Sequence, residues 1–140
     1  MPYRKKEIIM KIMFLTLIAI FGIASVGMAQ KPETLVIKRG QQKSAAKGEV
    51  ILKFLSVIED SRCPTDVNCV WAGNATIEVL ITDKRGGSKK AVMNTTTGQL
   101  GDQHNGYAIY LTSLTPSPKN GKKIKQRNYV ATFNVTRLFR

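Results

Sequence analysis

Cys63 and Cys69 are the only cysteines of the 140-residue chain. They enclose five residues in the run Glu59-Asp60-Ser61-Arg62-Cys63-Pro64-Thr65-Asp66-Val67-Asn68-Cys69-Val70-Trp71-Ala72-Gly73-Asn74-Ala75. Such a cluster is open to several chemistries. A redox pair would want Cys-x-x-Cys spacing, which is absent. Zinc would need more ligands than two cysteines and the single histidine, His104, supply. A calcium site is conceivable from the hard oxygens of Asp60, Asp66 and Asn68, with Glu59 beside them. The simpler expectation is that these acids pair with Arg62 or accept turn N–H groups. That leaves a structural role for the thiols, a disulfide that closes a short loop and stabilises the fold by about 2 kcal/mol. In this reading Pro64 stiffens the turn and Trp71 lays its indole over the bridge. Gly73 then stands where a second backbone approaches or the strand bends.

Other reactive side chains do not assemble into a catalytic set. No Gly-x-Ser-x-Gly elbow occurs. Glu59 and Asp60 are adjacent and point to opposite faces of a strand, unlike the facing carboxylates of a glycosidase. His104 reads as an exposed loop histidine, with Asp102 two residues away as the group that would orient it. The chain is therefore expected to be non-enzymatic and to need no cofactor. Lys119, Lys122, Lys123, Lys125 and Arg127 form a basic run around Asn120-Gly121, a candidate anion-binding loop; the competing reading is a solvated hairpin that blunts an edge strand. Tyr107 and Tyr110 lie near it in sequence, but a strand would turn them to opposite faces.

The elements that must position these residues are strands. From Thr34 onward apolar residues recur mostly with period two, separated by Gly, Asn, Asp, Lys and Pro. Ala75, Ile77, Val79 and Ile81 fall on one face of a strand, and Tyr129, Ala131, Phe133 and Val135 on one face of the last strand. Val50–Ile58 is apolar on both faces, which predicts a central strand covered on two sides. Leu35–Ile37, Lys89–Met93 and Tyr107–Thr112 are further strands, Lys38–Lys43 is a connection, and Asp83–Ser88 is a hairpin turn. Pro116 and Pro118 remove ladder donors, and Asn120-Gly121 supplies a turn. No amphipathic helix follows the N-terminal segment. The expected fold is all-β, an immunoglobulin-like antiparallel β-sandwich of about seven strands, with a small barrel as the alternative.

Arg4, Lys5, Lys6 and Lys11 precede an uncharged, apolar stretch from Ile12 to Gln30, the order of a secretory signal peptide over residues 1–29. Gly27-Met28-Ala29 offers small residues for cleavage after Ala29. Residues 30–140 then form one domain in a periplasmic or extracellular space, which matches the disulfide. Contact with a membrane is expected only if the signal stays uncleaved as an anchor. Four of the 22 basic and one of the nine acidic residues lie before position 30, which leaves 18 against eight and a formal charge of +10. A field of that sign attracts anions such as acidic glycans and lipid headgroups, and the expected partner is an anionic glycan, an envelope surface or a protein. Nucleic acid is the least available anion outside the cell.

Two resemblances add to this. The string Glu-Asp-Ser-Arg-Cys-Pro followed by Cys69-Val70-Trp71-Ala72-Gly73-Asn74-Ala75 resembles the signature of small exported bacterial domains described only as hypothetical proteins. That resemblance implies an exported β domain in which Asp60, Arg62, Pro64, Trp71 and Gly73 are structural, and it transfers no activity. Asn94-Thr95-Thr96-Thr97-Gly98 is similar to the Asn-Pro-Thr-Thr-Gly loop of chagasin-type cysteine-peptidase inhibitors, which implies an inhibitory loop carried by Asn94, Thr96 and Gly98. Thr95 stands where that family has proline. The expectation is a non-enzymatic binding or envelope-associated domain, with peptidase inhibition as the alternative.

Overall fold

The computed structural model describes residues 6–8, 10 and 31–138. Except for residues 6–8, the expected signal over residues 1–29 lies outside the described residues apart from Met10. Eight strands are present among the described residues: β1 (Glu33–Lys38), β2 (Gln42–Ala45), β3 (Val50–Asp60), β4 (Ala75–Asp83), β5 (Ser88–Asn94), β6 (Gly101–His104), β7 (Tyr107–Thr115) and β8 (Val130–Arg137). They make two four-stranded antiparallel sheets, ordered β1-β8-β7-β6 and β2-β3-β4-β5. The all-β, disulfide-containing sandwich expected from periodicity is thus the fold. Its two-layer architecture is that of immunoglobulin-like sandwiches. Its connections are meanders: every sheet neighbour except the β1–β8 pair is consecutive in the chain.

Period-two patterning explains the inner faces directly. Ala75, Ile77, Val79 and Ile81 of β4 are buried, and the residues between them are half-buried. Ala131, Phe133 and Val135 of β8, together with Tyr129 just before it, are buried from the other sheet. Phe54, Leu52, Met93, Ile37 and Ile109 complete one core shared by both sheets.

β3 departs from the expectation of two covered faces. It is interior to its sheet, but only Val50, Leu52, Phe54 and Val57 are in the core, and Ile58 is exposed. Two bulges account for the continuous apolar run. Register steps from Phe54↔Val79 to Ser56↔Glu78, and from Val57↔Ile77 to Glu59↔Thr76. Each bulge inserts one residue, Leu55 and then Ile58, and reverses the inward phase. After both, Asp60 lies opposite buried Ala75, so its carboxylate is carried onto the inner side.

β2 and β6 bring the strand number above the expected seven. Gln42–Ala45 falls partly within the expected connection, and it is polar with only Ala45 buried. Gly101–His104 contains no apolar side chain. Both are edge strands held by main-chain pairing, which leaves no hydrophobic period to read. At the β5 and β6 edges the two sheets are joined by Lys89 Nζ, 2.8 Å from Asp102 Oδ2, and by His104 Nε2, 3.1 Å from Asp83 Oδ2. At the β1 and β2 edges Glu33 Oε2 accepts the Ala46 N–H at 2.7 Å.

Phe133 is fully buried, so Phe133→Ala is expected to lower unfolding free energy by about 3–5 kcal/mol. Val36 of β1 is 49% exposed, and Val36→Ala is expected to change it by no more than about 0.5 kcal/mol. Urea denaturation of both variants checks the assignment; equal losses would place the core elsewhere.

Candidate functional site

Three connections leave the same end of the sandwich, because Asp60 pairs with Ala75, Thr76 with Asn94, and Thr115 with Val130. They are the disulfide loop 61–74, the β5–β6 loop 95–100 and the long β7–β8 loop 116–129.

At their base lies a polar cluster. Arg62 grips Asp60 in a two-pronged pair, Nε to Oδ1 at 2.8 Å and Nη2 to Oδ2 at 2.7 Å. The guanidinium also donates to the Leu114 carbonyl and, at 2.9 Å, to the Pro116 carbonyl. The Tyr129 hydroxyl donates to Asp60 Oδ2 at 2.9 Å. Asp60 and Arg62 side chains are only 10% and 13% exposed. Burial alone would raise the Asp60 pKa, yet Arg62 and Tyr129 together hold it below the ordinary carboxylate value. Tyr129 moves the other way: its burial, then its bond to the Asp60 carboxylate, push the hydroxyl up to about 12.

The disulfide loop is built on this base. Cys63 and Cys69 are bonded, with Cα atoms 6.0 Å apart. The Ser61 N–H donates to Asn74 O at 2.7 Å and the Cys63 N–H to Ala72 O at 2.8 Å, so main-chain pairing continues for two bonds beyond the β3 and β4 strands. Gly73 has φ +69°, and a Cβ there would stand 1.9 Å from the Ser61 carbonyl oxygen. Trp71 does not cover the bridge as expected. It is 82% exposed and its neighbour Val70 is 91% exposed, because beyond Ala72 the loop projects past the end of the sandwich, where no second layer covers it. Pro64 is half-buried at the start of the turn, and the Val67 N–H reaches its carbonyl at 3.4 Å.

The basic loop is anchored by its uncharged residues. The Gln126 side chain pairs with Val57 like a strand: its Nε2 donates to Val57 O at 2.8 Å and its Oε1 accepts the Val57 N–H at 3.2 Å. Ile124 packs against the core. The Asn120 N–H donates to Asp66 Oδ1 at 2.8 Å and the Thr65 N–H to Pro118 O at 3.0 Å, which fastens the basic loop to the disulfide loop. Lys119, Lys122, Lys123, Lys125 and Arg127 remain exposed and, with Ile124 and Asn128, line a groove of about 360 Å3. The alternation Lys123-Ile124-Lys125-Gln126-Arg127 is the signal from which Gln126 could have been read as an inward anchor.

Other candidate residues are placed differently from expectation. Asp60, Asp66 and Asn68 do not converge for calcium: Asp60 faces Arg62 and Tyr129, and Asp66 faces Asn120. Among the described residues no three His, Cys, Asp or Glu side chains gather as a metal would require. His104 is in a strand, not an exposed loop; its side chain is 16% exposed and it meets Asp83, whereas Asp102 pairs with Lys89. Asp83 also accepts the Arg85 and Gly87 N–H groups at 2.8 and 3.1 Å, and these bonds with His104 outweigh its burial and lower its pKa. The pair thus closes a turn and a sheet edge.

In the β5–β6 loop Asn94 Oδ1 accepts from Asn74 Nδ2 and Thr76 Oγ1 at 2.9 and 2.8 Å. Asn74 Oδ1 accepts the Thr95 and Thr96 N–H groups, each at 3.1 Å. Gly98 has φ +84°, and a Cβ there would lie 2.9 Å from Asn94 Nδ2. Asn94 and Gly98 therefore shape this turn, and the rest of it, residues 96–100, is exposed.

Comparison of the chain with protein-family models, curated proteins and solved structures returns no match.

Arg62→Ala would leave the Asp60 carboxylate buried and two carbonyls short of a donor, and is expected to cost about 3 kcal/mol of stability. Gly73→Ala is expected to cost more than about 1 kcal/mol. The depressed Asp60 contributes stability above about pH 4 that is lost as pH falls, and the raised Tyr129 contributes stability below about pH 10 that is lost as pH climbs toward 12. Tyr129→Phe should flatten the alkaline fall in melting temperature and move the acid fall to higher pH. Unchanged limbs in that variant would show that Asp60 and Tyr129 are not coupled.

Proposed function

We propose that the protein is an exported, non-enzymatic binding domain that engages an anionic partner through the loop end of the sandwich. The observation that carries this reading is the concentration of five exposed cations on one anchored loop, around a groove. No acidic residue follows Asp102 in the chain, and Asp66, which reaches this loop, is occupied by the Asn120 N–H. Asp66 keeps its charge, but among the described residues none of the five cations is held in a salt bridge, so the loop stays net positive and a partner of opposite charge gains from several cations at once. A formed disulfide between the only two cysteines fits an exported protein. Outside the cell, acidic glycans and envelope surfaces supply such charge.

Lys122→Gln, Lys123→Gln and Lys125→Gln combined are expected to weaken binding to a sulfated polysaccharide about tenfold, at roughly 0.5 kcal/mol for each exposed charge. Wild-type affinity should fall between low and physiological salt. Titration calorimetry measures both; an affinity indifferent to salt and to the three substitutions sinks the proposal.

A further inference from the structure

Charge explains only part of this face. Val70 and Trp71 are 91% and 82% exposed, and Val67 in the same loop is 40% exposed. Apolar side chains so fully solvated, side by side at the tip of a loop, contribute nothing to the core. They are not a frayed segment: the Cys63–Cys69 bond and the Cys63–Ala72 main-chain bond hold the base of the loop. The Asp66–Asn120 and Thr65–Pro118 bonds fix this loop against the cationic one. An apolar tip and a cationic groove therefore form one preorganised surface at one end of the molecule.

Resting on the binding reading above, we infer that the anionic partner is a phospholipid surface, with Trp71 and Val70 entering the headgroup layer while Lys119, Lys122, Lys123, Lys125 and Arg127 pair with lipid phosphates. Tryptophan suits this boundary because its ring is apolar and its indole N–H still finds a polar partner. A soluble polyanion would neutralise the lysines and leave Val70 in water. A zwitterionic bilayer would accept Val70, but choline already balances its phosphates and the lysines gain no net attraction. An anionic bilayer satisfies both, and two weak signals acting together are what reversible membrane attachment requires.

Trp71 is the chain's only tryptophan, so its fluorescence reports on this tip alone. With phosphatidylglycerol vesicles its emission is expected to shift to the blue and to become protected from acrylamide. Neither change should occur with phosphatidylcholine vesicles or with a soluble sulfated polysaccharide. In vesicle co-sedimentation, Trp71→Ala should weaken binding about tenfold. The combined Lys122→Gln, Lys123→Gln, Lys125→Gln variant should weaken it about 100-fold. Binding to anionic vesicles with unchanged Trp71 emission, and unaffected by Trp71→Ala, would overturn the lipid inference and leave the anionic-partner reading standing. So would salt-sensitive binding to the polysaccharide without binding to vesicles. If neither vesicles nor polysaccharide bind, both readings fail.

Discussion

The buried Asp60–Arg62 pair is the contact on which the loop end of the molecule depends. Removing a carboxylate and a guanidinium from water is expensive, and mutual attraction repays it only when the remaining donors and acceptors are satisfied. Here they are: the carboxylate takes three side-chain bonds from Arg62 and Tyr129, and the guanidinium serves the carbonyl of Leu114 in the opposite sheet and that of Pro116 just beyond it. The pair joins the end of β3 to the end of β7 and to the residue before β8. It thereby sets where the disulfide loop and the basic loop begin.

That position follows from the backbone of β3. Its two bulges return the inward phase at Asp60, so a carboxylate lies under the corner where a simple strand would continue an apolar stripe. Burial and then Asp60 raise Tyr129 while Asp60 is itself lowered, a coupling that rewards the ionised acid and the neutral phenol in the same pH range. The opposite end uses a smaller version of the same device, with Asp83 receiving turn N–H groups and facing His104 across the sheets.

The two loops above the pair divide their labour by residue type. Gln126, Ile124, Asp66 and the disulfide hold the loops in place, and Lys122, Lys123, Lys125, Val70 and Trp71 are left free to meet something else. Rigidity matters here because flexible lysine loops lose ordering entropy on binding, whereas an anchored one presents its charges already arranged.

Periodicity by itself determined the strands that carry the core, since a buried face must repeat every second residue; β4 and β8 read directly from Ala75–Ile81 and Tyr129–Val135. The two cysteines in isolation likewise determined the bridge. The edge strands Gln42–Ala45 and Gly101–His104 were illegible because main-chain bonds hold them and main-chain bonds have no side-chain pattern. Trp71 was misplaced for a related reason: proximity in sequence to Cys69 says nothing about whether a second layer reaches that height. Which polar side chain meets which partner was also a tertiary decision. Asp60 with Tyr129, Asp83 with His104 and Gln126 with Val57 are pairs separated by 69, 21 and 69 residues, and only the stacking of the two sheets brings them within bonding distance.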